Sequence, residues 1–186
     1  WDEALTAVQK ALTPLRGSEI AGIVGRFVDL EGMFLFKRLM MHLGGTVESR
    51  QEGCSVQFEA REHYRFNTPL EKLSEADCVL FVGSNPRIEA PVVAARIRKA
   101  YTHGNLKAGI VGEDFDLTYP SLHLGNTPDI LEKLISGKHA FATTLQNAKK
   151  PVLILGMGAL SRSDSHNILS ACLKISQQYG LFRKDW

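Results

Sequence analysis

The stretch DCVLFVGSNPRIEAPVVAARIRK, residues Asp77 to Lys99, decides the fold of this chain. It opens with an apolar run, Cys78 to Val82, of the length and β-branched content of a strand buried on both faces. Gly83 ends the run. Ser84, Asn85 and Pro86 then form a loop short enough only for a tight strand-to-helix crossing, and Pro86 biases Asn85 away from the helical region. One helix is expected to follow, with Glu89 near its positive end, Pro91 in its first turn and Val93, Ala94 and Ile97 at helical spacing. Arg96, Arg98 and Lys99 lie on or near the outer face, close to the negative end. This is half of a βαβ unit.

On either side of this unit the same alternation recurs. Asp2 to Leu12 reads as a short amphipathic helix ended by Pro14 and in need of a sheet to lie on. Glu19 to Gly25 reads as a strand at which Gly22 and Gly25 predict close approach of another backbone. Asp29 to Leu43 is a helix with a wide apolar stripe whose methionines are core packing, ended by Gly44-Gly45. Thr46 to Glu48 is a short strand. Ser49 to Thr68 is a polar, weakly periodic excursion anchored by Phe58, Tyr64 and Phe66, and Pro69 to Leu73 a short helical approach. Lys107 to Val111 and Val152 to Leu155 are further buried strands. Glu113 to Asn126 is irregular. Thr127 caps a helix that has Pro128 at its first position and runs to Ile135, His139 to Ala148 is a helix, Pro151 is a break, and Ser163 or Asp164 caps a final helix bearing Ile168, Leu169, Cys172, Leu173 and Ile175. Apolar rather than alternating strands between helices give the expected class: α/β, an open, mostly parallel sheet with helices on both faces.

With 186 residues, 44% of them hydrophobic, a single domain spanning 1–186 is expected, able to bury roughly 70% of its unfolded surface. The net charge of +2 offers no broad attraction for nucleic acid or anionic lipid. No apolar run approaches the ~20 residues that span a bilayer, and no charged-then-apolar leader is present. Cys54, Cys78 and Cys172 lack CxxC spacing, which points to neither a disulfide framework nor a metal set, and to a reducing compartment. His42, His63, His103, His123, His139 and His166 form no HxH or HExxH pair and read as surface or hydrogen-bonded imidazoles. The chain opens on Trp1 without methionine and ends on Trp186 without a polar tail, and reads as an excerpt of something longer.

Three loops sit where parallel sheets bind ligands, beyond the carboxyl ends of the strands: Gly25 onward, Gly83 to Arg87, and Gly156 to Ser161. Gly156-Met157-Gly158 begins like a dinucleotide fingerprint, but Ser161 replaces the third glycine and too little chain follows for the ribose-binding acid, so a tight turn is the stronger reading. In the Gly83 to Arg87 loop, a helix N-terminus and the Arg87 guanidinium together could hold a phosphate. The plainer alternative pairs Arg87 with Glu89, Glu75 or a neighbouring subunit. No nucleophile sits in a GxSxG context, and Asp114 and Asp116 read as solvated loop acids.

Trp1 to Leu5, the run Gly83-Ser84-Asn85-Pro86 and the run Ala94 to Lys99 resemble the molybdopterin oxidoreductase superfamily, in which such a βα loop helps embrace a pterin dinucleotide. A closer resemblance is carried by Asn85 to Pro91 with Ala95 to Lys99, Asp116 to Tyr119, His123 to Gly125, Gly137 to His139 with Phe141, and Arg61, Tyr64, Asn67 and Thr68. Together these are similar to the large iron–sulfur subunit of respiratory complex I, in the mitochondrial style, with Ala140 where that family usually has proline and a poor match over Gln51 to Glu59.

The resemblance implies a redox-silent, structural part of the subunit's C-terminal molybdopterin-enzyme-like domain, within an assembly that passes electrons from NADH to ubiquinone coupled to proton translocation. It implies no catalytic residue, metal or cofactor here, iron–sulfur clusters elsewhere in the subunit, and as partners the other peripheral-arm subunits and the rest of the same polypeptide, with no nucleic acid and no membrane span. It implies the matrix side of the mitochondrial inner membrane, or the cytoplasmic face of the plasma membrane in a bacterium. The alternative is a live molybdopterin-binding module of a formate dehydrogenase-like or nitrate reductase-like oxidoreductase, with Gly83, Asn85 and Arg87 as cofactor-binding residues.

Overall fold

The structure, a computed structural model, describes residues 1–25, 27–49 and 65–182. The expected anchors Phe58 and Tyr64 lie outside them, as do Cys54, Arg61 and His63. The chain forms two compact units, Trp1–Glu52 and Gly53–Trp186.

In the first unit, α1 (Asp2–Leu12) precedes β1 (Ala21–Val24), α2 (Leu30–Leu43) and β2 (Thr46–Ser49). β1 and β2 pair in parallel from Ala21 opposite Thr46 to Val24 opposite Ser49. α2 is the crossover, started by Asp29, whose carboxylate accepts the Gly32 N–H at 2.6 Å, and stopped as expected at Gly44 with φ +69°. Three expectations are corrected. The strand is shorter than Glu19 to Gly25, because Glu19 belongs to a 3-10 turn in which its carboxylate accepts the Arg16 N–H at 2.8 Å. Gly22 makes room for side chains rather than backbone, since a Cβ there would meet the Phe36 ring at 2.7 Å, and among the described residues a Cβ on Gly25 would meet nothing within 4 Å. Of the methionines on α2 only Met40 is buried, and Met41 is exposed. α1 buries no residue.

The second unit contains a 3-10 turn (Lys72–Glu75), β3 (Cys78–Val82), α3 (Pro86–Glu89), α4 (Pro91–His103), β4 (Lys107–Val111), β5 (Leu122–Gly125), α5 (Asp129–Ile135), α6 (Ala140–Asn147), β6 (Pro151–Leu155), α7 (Met157–Leu160) and α8 (Ser165–Gln178). Its four strands are parallel in the order β5-β4-β3-β6. All five residues of β3 are buried. The two-residue pleat divides them between two cores: Cys78, Leu80 and Val82 pack with Leu134, Leu145 and Ile175, while Val79 and Phe81 pack with Leu73, Ile97, Ala100 and Leu117. The sheet is therefore helix-covered on both faces, as the apolar strands predict.

The differences from the sequence reading have local causes. The single helix after Asn85 is two, broken at Ala90 (φ −148°, ψ 70°), because a residue before proline is driven out of the helical region and Pro91 has no N–H to continue the ladder. β5 lies in the stretch expected to be irregular: it is an edge strand with a register shift opposite Ile110 and Val111, and Leu124 alone is buried in it. α5 begins at Asp129 rather than Pro128, and the Thr127 hydroxyl donates to the Asp129 carboxylate. α6 loses both expected end residues to capping positions, His139 Nδ1 accepting the Phe141 N–H at 3.1 Å. Pro151 opens β6 instead of breaking the chain before it, which a sheet tolerates at the first residue of an edge strand. Asp164 precedes α8 without a side-chain capping bond. Its carboxylate instead takes the Arg162 guanidinium at 2.7 and 2.8 Å.

Nothing local marks the role of Asp77, whose carboxylate accepts the N–H groups of Lys149 and Lys150 at 2.7 and 2.8 Å and fixes the entry to β6 beside that of β3. At the other end of the two strands the backbones touch. Gly83 has φ +56°, and a Cβ on it would stand 2.5 Å from the Ala159 nitrogen.

Gly83→Ala is accordingly expected to cost about 2 kcal/mol or more in chemical denaturation, from left-handed strain plus collision with backbone. A loss within experimental scatter would show that the contact is not needed. Burial, then the nearby Asp77 charge, pushes the Cys78 thiol up to about 12, and burial does the same to Cys172. Both thiols keep their proton in the fold beyond the pH at which the unfolded chain releases it, so their contribution to stability falls as pH rises toward 12. At pH 8 native alkylation of Cys78 and Cys172, followed by peptide mapping, is expected to be far slower than in denaturant. Equal rates would refute the burial described.

Candidate functional site

The strands β3, β4 and β5 are laid down in one direction across the sheet and β6 returns to the other side of β3, so the topological switch point lies between β3 and β6, where open α/β sheets receive ligands. Here that gap is shut by main chain. Gly83 N–H donates to the Val111 carbonyl and Gly156 N–H to the Val82 carbonyl, both at 2.9 Å. A Cβ at Gly156 would lie 2.4 Å from the Ser84 Cβ and one at Gly158 2.7 Å from the Gly83 oxygen. The tight turn read at Gly156 leads into the four-residue α7, with Gly156 at its N-cap position.

A crevice of about 340 Å³ remains beside this closure. Its floor is Val82, Val111, Leu131 and Ile168, and its walls come from the ends of all four strands: Gly83 to Asn85 with Glu89, Gly112 and Glu113 with Phe115, Asn126 to Pro128, and Gly158, Ala159 and Arg162. The structure therefore brings together two of the three loops singled out in the sequence. The third, from Gly25, belongs to the other unit.

Within the Gly83 to Arg87 loop several donors already have partners within the chain. Asn85 Oδ1 accepts the Arg87 N–H at 3.2 Å, the Asn85 carbonyl accepts the Ile88 and Glu89 N–H groups at 3.1 and 2.9 Å, and the Glu89 carboxylate accepts the Asn85 N–H at 2.6 Å and the Ser84 hydroxyl at 3.4 Å. A carboxylate of the chain stands where the loop would offer hydrogen bonds to an anion. Arg87 faces elsewhere, donating to the Asp116 carbonyl at 2.5 Å and lying 3.3 Å from its carboxylate. Glu75 pairs with Lys150, so neither carboxylate foreseen for Arg87 takes it.

Glu89 is the residue whose role the sequence reading misses: there it figures only as a charge near a helix start and an ion-pair partner. Its position four residues after Asn85, in a first turn of helix, is the signal that could have revealed it.

The pterin dinucleotide implied by the resemblance carries a pyrophosphate, which needs cations and free N–H groups. The crevice walls present Glu89 and Glu113, and the guanidinium of Arg162 is held by Asp164, whose carboxyl that bond keeps below the usual carboxylate range. These residues do not fit such a group. Among the described residues no cluster of three histidine, cysteine or acidic side chains could hold a metal ion, and no helix is long and apolar enough to cross a membrane.

Comparison with known proteins gives the chain its relatives. It is 35% identical over 187 residues to the mitochondrial NADH dehydrogenase [ubiquinone] iron-sulfur protein 1 of Solanum tuberosum, covering 100% of this chain and 25% of that protein. It is 36% identical to an NADH-quinone oxidoreductase subunit of Rickettsia bellii (strain RML369-C) and 35% identical to its namesake in Rickettsia felis (strain ATCC VR-1525 / URRWXCal2), each over 187 residues, 100% of this chain and 28% of the relative. The chain thus spans about a quarter of the length of these curated relatives. The family model described as molybdopterin oxidoreductase matches residues 1–186, a match that spans both units, and with the parallel, doubly covered sheet it establishes that the chain belongs to the molybdopterin oxidoreductase family.

Proposed function

We propose that this chain is a structural, redox-silent part of the large iron–sulfur subunit of complex I, the assembly that passes electrons from NADH to ubiquinone coupled to proton translocation. The observation that carries the reading is the Glu89 carboxylate on the Asn85 N–H. In a family whose cofactor is anionic, this loop gives the Asn85 N–H and the Ser84 hydroxyl to a negative group of the chain, and the switch-point gap beside it is filled by backbone. The similarity to the potato and Rickettsia proteins supports the assignment to complex I. Iron–sulfur clusters are then held elsewhere in the subunit. The chain's partners are the remainder of that subunit and neighbouring peripheral-arm subunits, at the matrix side of the mitochondrial inner membrane or the cytoplasmic face of a bacterial plasma membrane.

The family match favours a second reading, a live molybdopterin-binding module of a formate dehydrogenase-like or nitrate reductase-like enzyme, in which Gly83, Asn85 and Arg87 bind the cofactor. It requires Glu89 to leave the loop and Arg87 to leave Asp116.

Elemental analysis of the purified assembly is expected to find no stoichiometric molybdenum or tungsten, and denaturation to release no fluorescent pterin. Stoichiometric metal with pterin would establish the second reading. Glu89→Ala is expected to destabilise the loop by about 1 kcal/mol, the net contribution of one solvent-exposed hydrogen bond, while NADH-to-quinone electron transfer per assembled complex is unchanged. A tenfold loss of that rate, about 1.4 kcal/mol in barrier, would place the loop in the chemistry.

A further inference from the structure

The outward side of α4 carries charge of one sign. No aspartate or glutamate occurs between Glu89 and Glu113, and Arg96, Arg98 and Lys99 are all exposed. Among the described residues none of the three takes part in an ion pair. The helix dipole accounts for a cation in a last turn, but α4 runs on to His103 and Arg96 stands well before that end. A helix face that meets only water ordinarily mixes the signs, since like charges three or four positions apart repel. Arg96 and Lys99 stand at such a spacing with no acid on the helix between them.

Beside these cations lie large aliphatic side chains that the fold does not use. Ile88 on α3 is 79% exposed, and Val92 in the first turn of α4 is 64% exposed. Val92, Ala95, Arg96 and Lys99 follow the i, i+3, i+4, i+7 spacing of one helical stripe. That stripe is turned away from Ile97 and Ala100, which are buried in the core below. Exposed aliphatics bordered by unpaired arginines are the composition of a contact surface, with an apolar centre and a polar edge.

We propose that the outer side of α4, with Ile88 and Val92 at one end and Arg96, Arg98 and Lys99 along it, docks an acidic surface of a different polypeptide of the assembly. This rests on the reading of the chain as part of a complex I subunit, and two of its relatives are themselves named as subunits. The sign of the partner follows from the cations, because complementary potentials are what hold such a contact in register. Its being a protein follows from the aliphatics. A nucleic-acid backbone has nothing to cover them, and a bilayer surface would need the broad apolar face of α4, which the core has already taken.

The test uses the purified assembly, its polypeptides first identified by mass spectrometry. A carbodiimide, which joins an amine to a touching carboxylate without a spacer, is expected to couple the Lys99 Nζ to an aspartate or glutamate of another polypeptide. Arg96→Glu with Lys99→Glu is then expected to lower retention of that polypeptide about tenfold in a wash of raised ionic strength. Reversing the coupled carboxylate to lysine is expected to restore retention, which it would not do for a folding defect.

Coupling of Lys99 only within its own subunit, to a second copy of it, or not at all would overturn the proposal. So would retention that the double reversal leaves unchanged, or a loss that the partner's reversal fails to restore. These outcomes leave the complex I reading standing. A subunit that purifies with no other polypeptide would end both, and pterin in the assembly would end the redox-silent reading without moving the coupling.

Discussion

Everything in the second unit follows from sealing one strand from water. β3 buries all five of its residues, which is possible only if each face carries helices and each edge carries another strand. The two edges are taken by β4 and β6 in matching register, Cys78 lying opposite both Lys107 and Pro151. Because the neighbours are parallel, the chain must cross over after each strand, and all of its strand-to-helix loops emerge at one end. The crevice is the product of that geometry. So is its closure, since loops forced to one end of adjacent strands meet unless side chains keep them apart, and Gly83, Gly156 and Gly158 have none to do so.

The sequence was legible where burial was symmetrical. β3, β4 and β6 announce themselves as unbroken apolar runs because helices cover both of their faces. β5 does not, because it lies at an edge and Leu124 alone carries its burial, which leaves Leu122-His123-Leu124-Gly125 without a period to read. Most helices were readable, the four-residue α7 excepted, and helix ends were less so: the break at Ala90 was implicit in Pro91, yet proline is also at home in a first helical turn, and the two readings compete on the same residue. The clamp made by Asp77 was beyond reach, since its acceptors are paired with N–H groups 72 and 73 residues away and no neighbour in sequence points to them.

The candidate site shows the same divide. That the Gly83 and Gly156 loops would meet follows from placing each at the end of a strand, and the structure puts both in one crevice wall. What each loop does with its hydrogen bonds does not follow. An arginine and a helix start beside a glycine describe an anion site and a self-satisfied turn equally well. In the structure Glu89 takes the Asn85 N–H and Asp116 takes Arg87. A charge in a sequence has a sign but no address.

Arg87 has a structural employment that explains why it is not in the crevice. Its guanidinium holds the Asp116 carbonyl, and the Asp116 carboxylate in turn accepts the Thr118 N–H at 2.7 Å. Thr118 has φ +65°, which among the described residues no other residue but glycine shares, and a β-branched side chain held there is strained. The reason to hold it is the residue that follows. Tyr119 turns inward to stack on Tyr101 with ring centroids 5.2 Å apart, and Leu117 enters the core against Val79 and Phe81. An exposed ion pair contributes little by itself, about 0–1 kcal/mol. The accompanying bond to a carbonyl on a strained turn does more, because it acts at the one point where the chain must leave its preferred conformation to cover β3. The covering of β3 thus reaches as far as Arg87, whose guanidinium is part of what keeps water from the central strand.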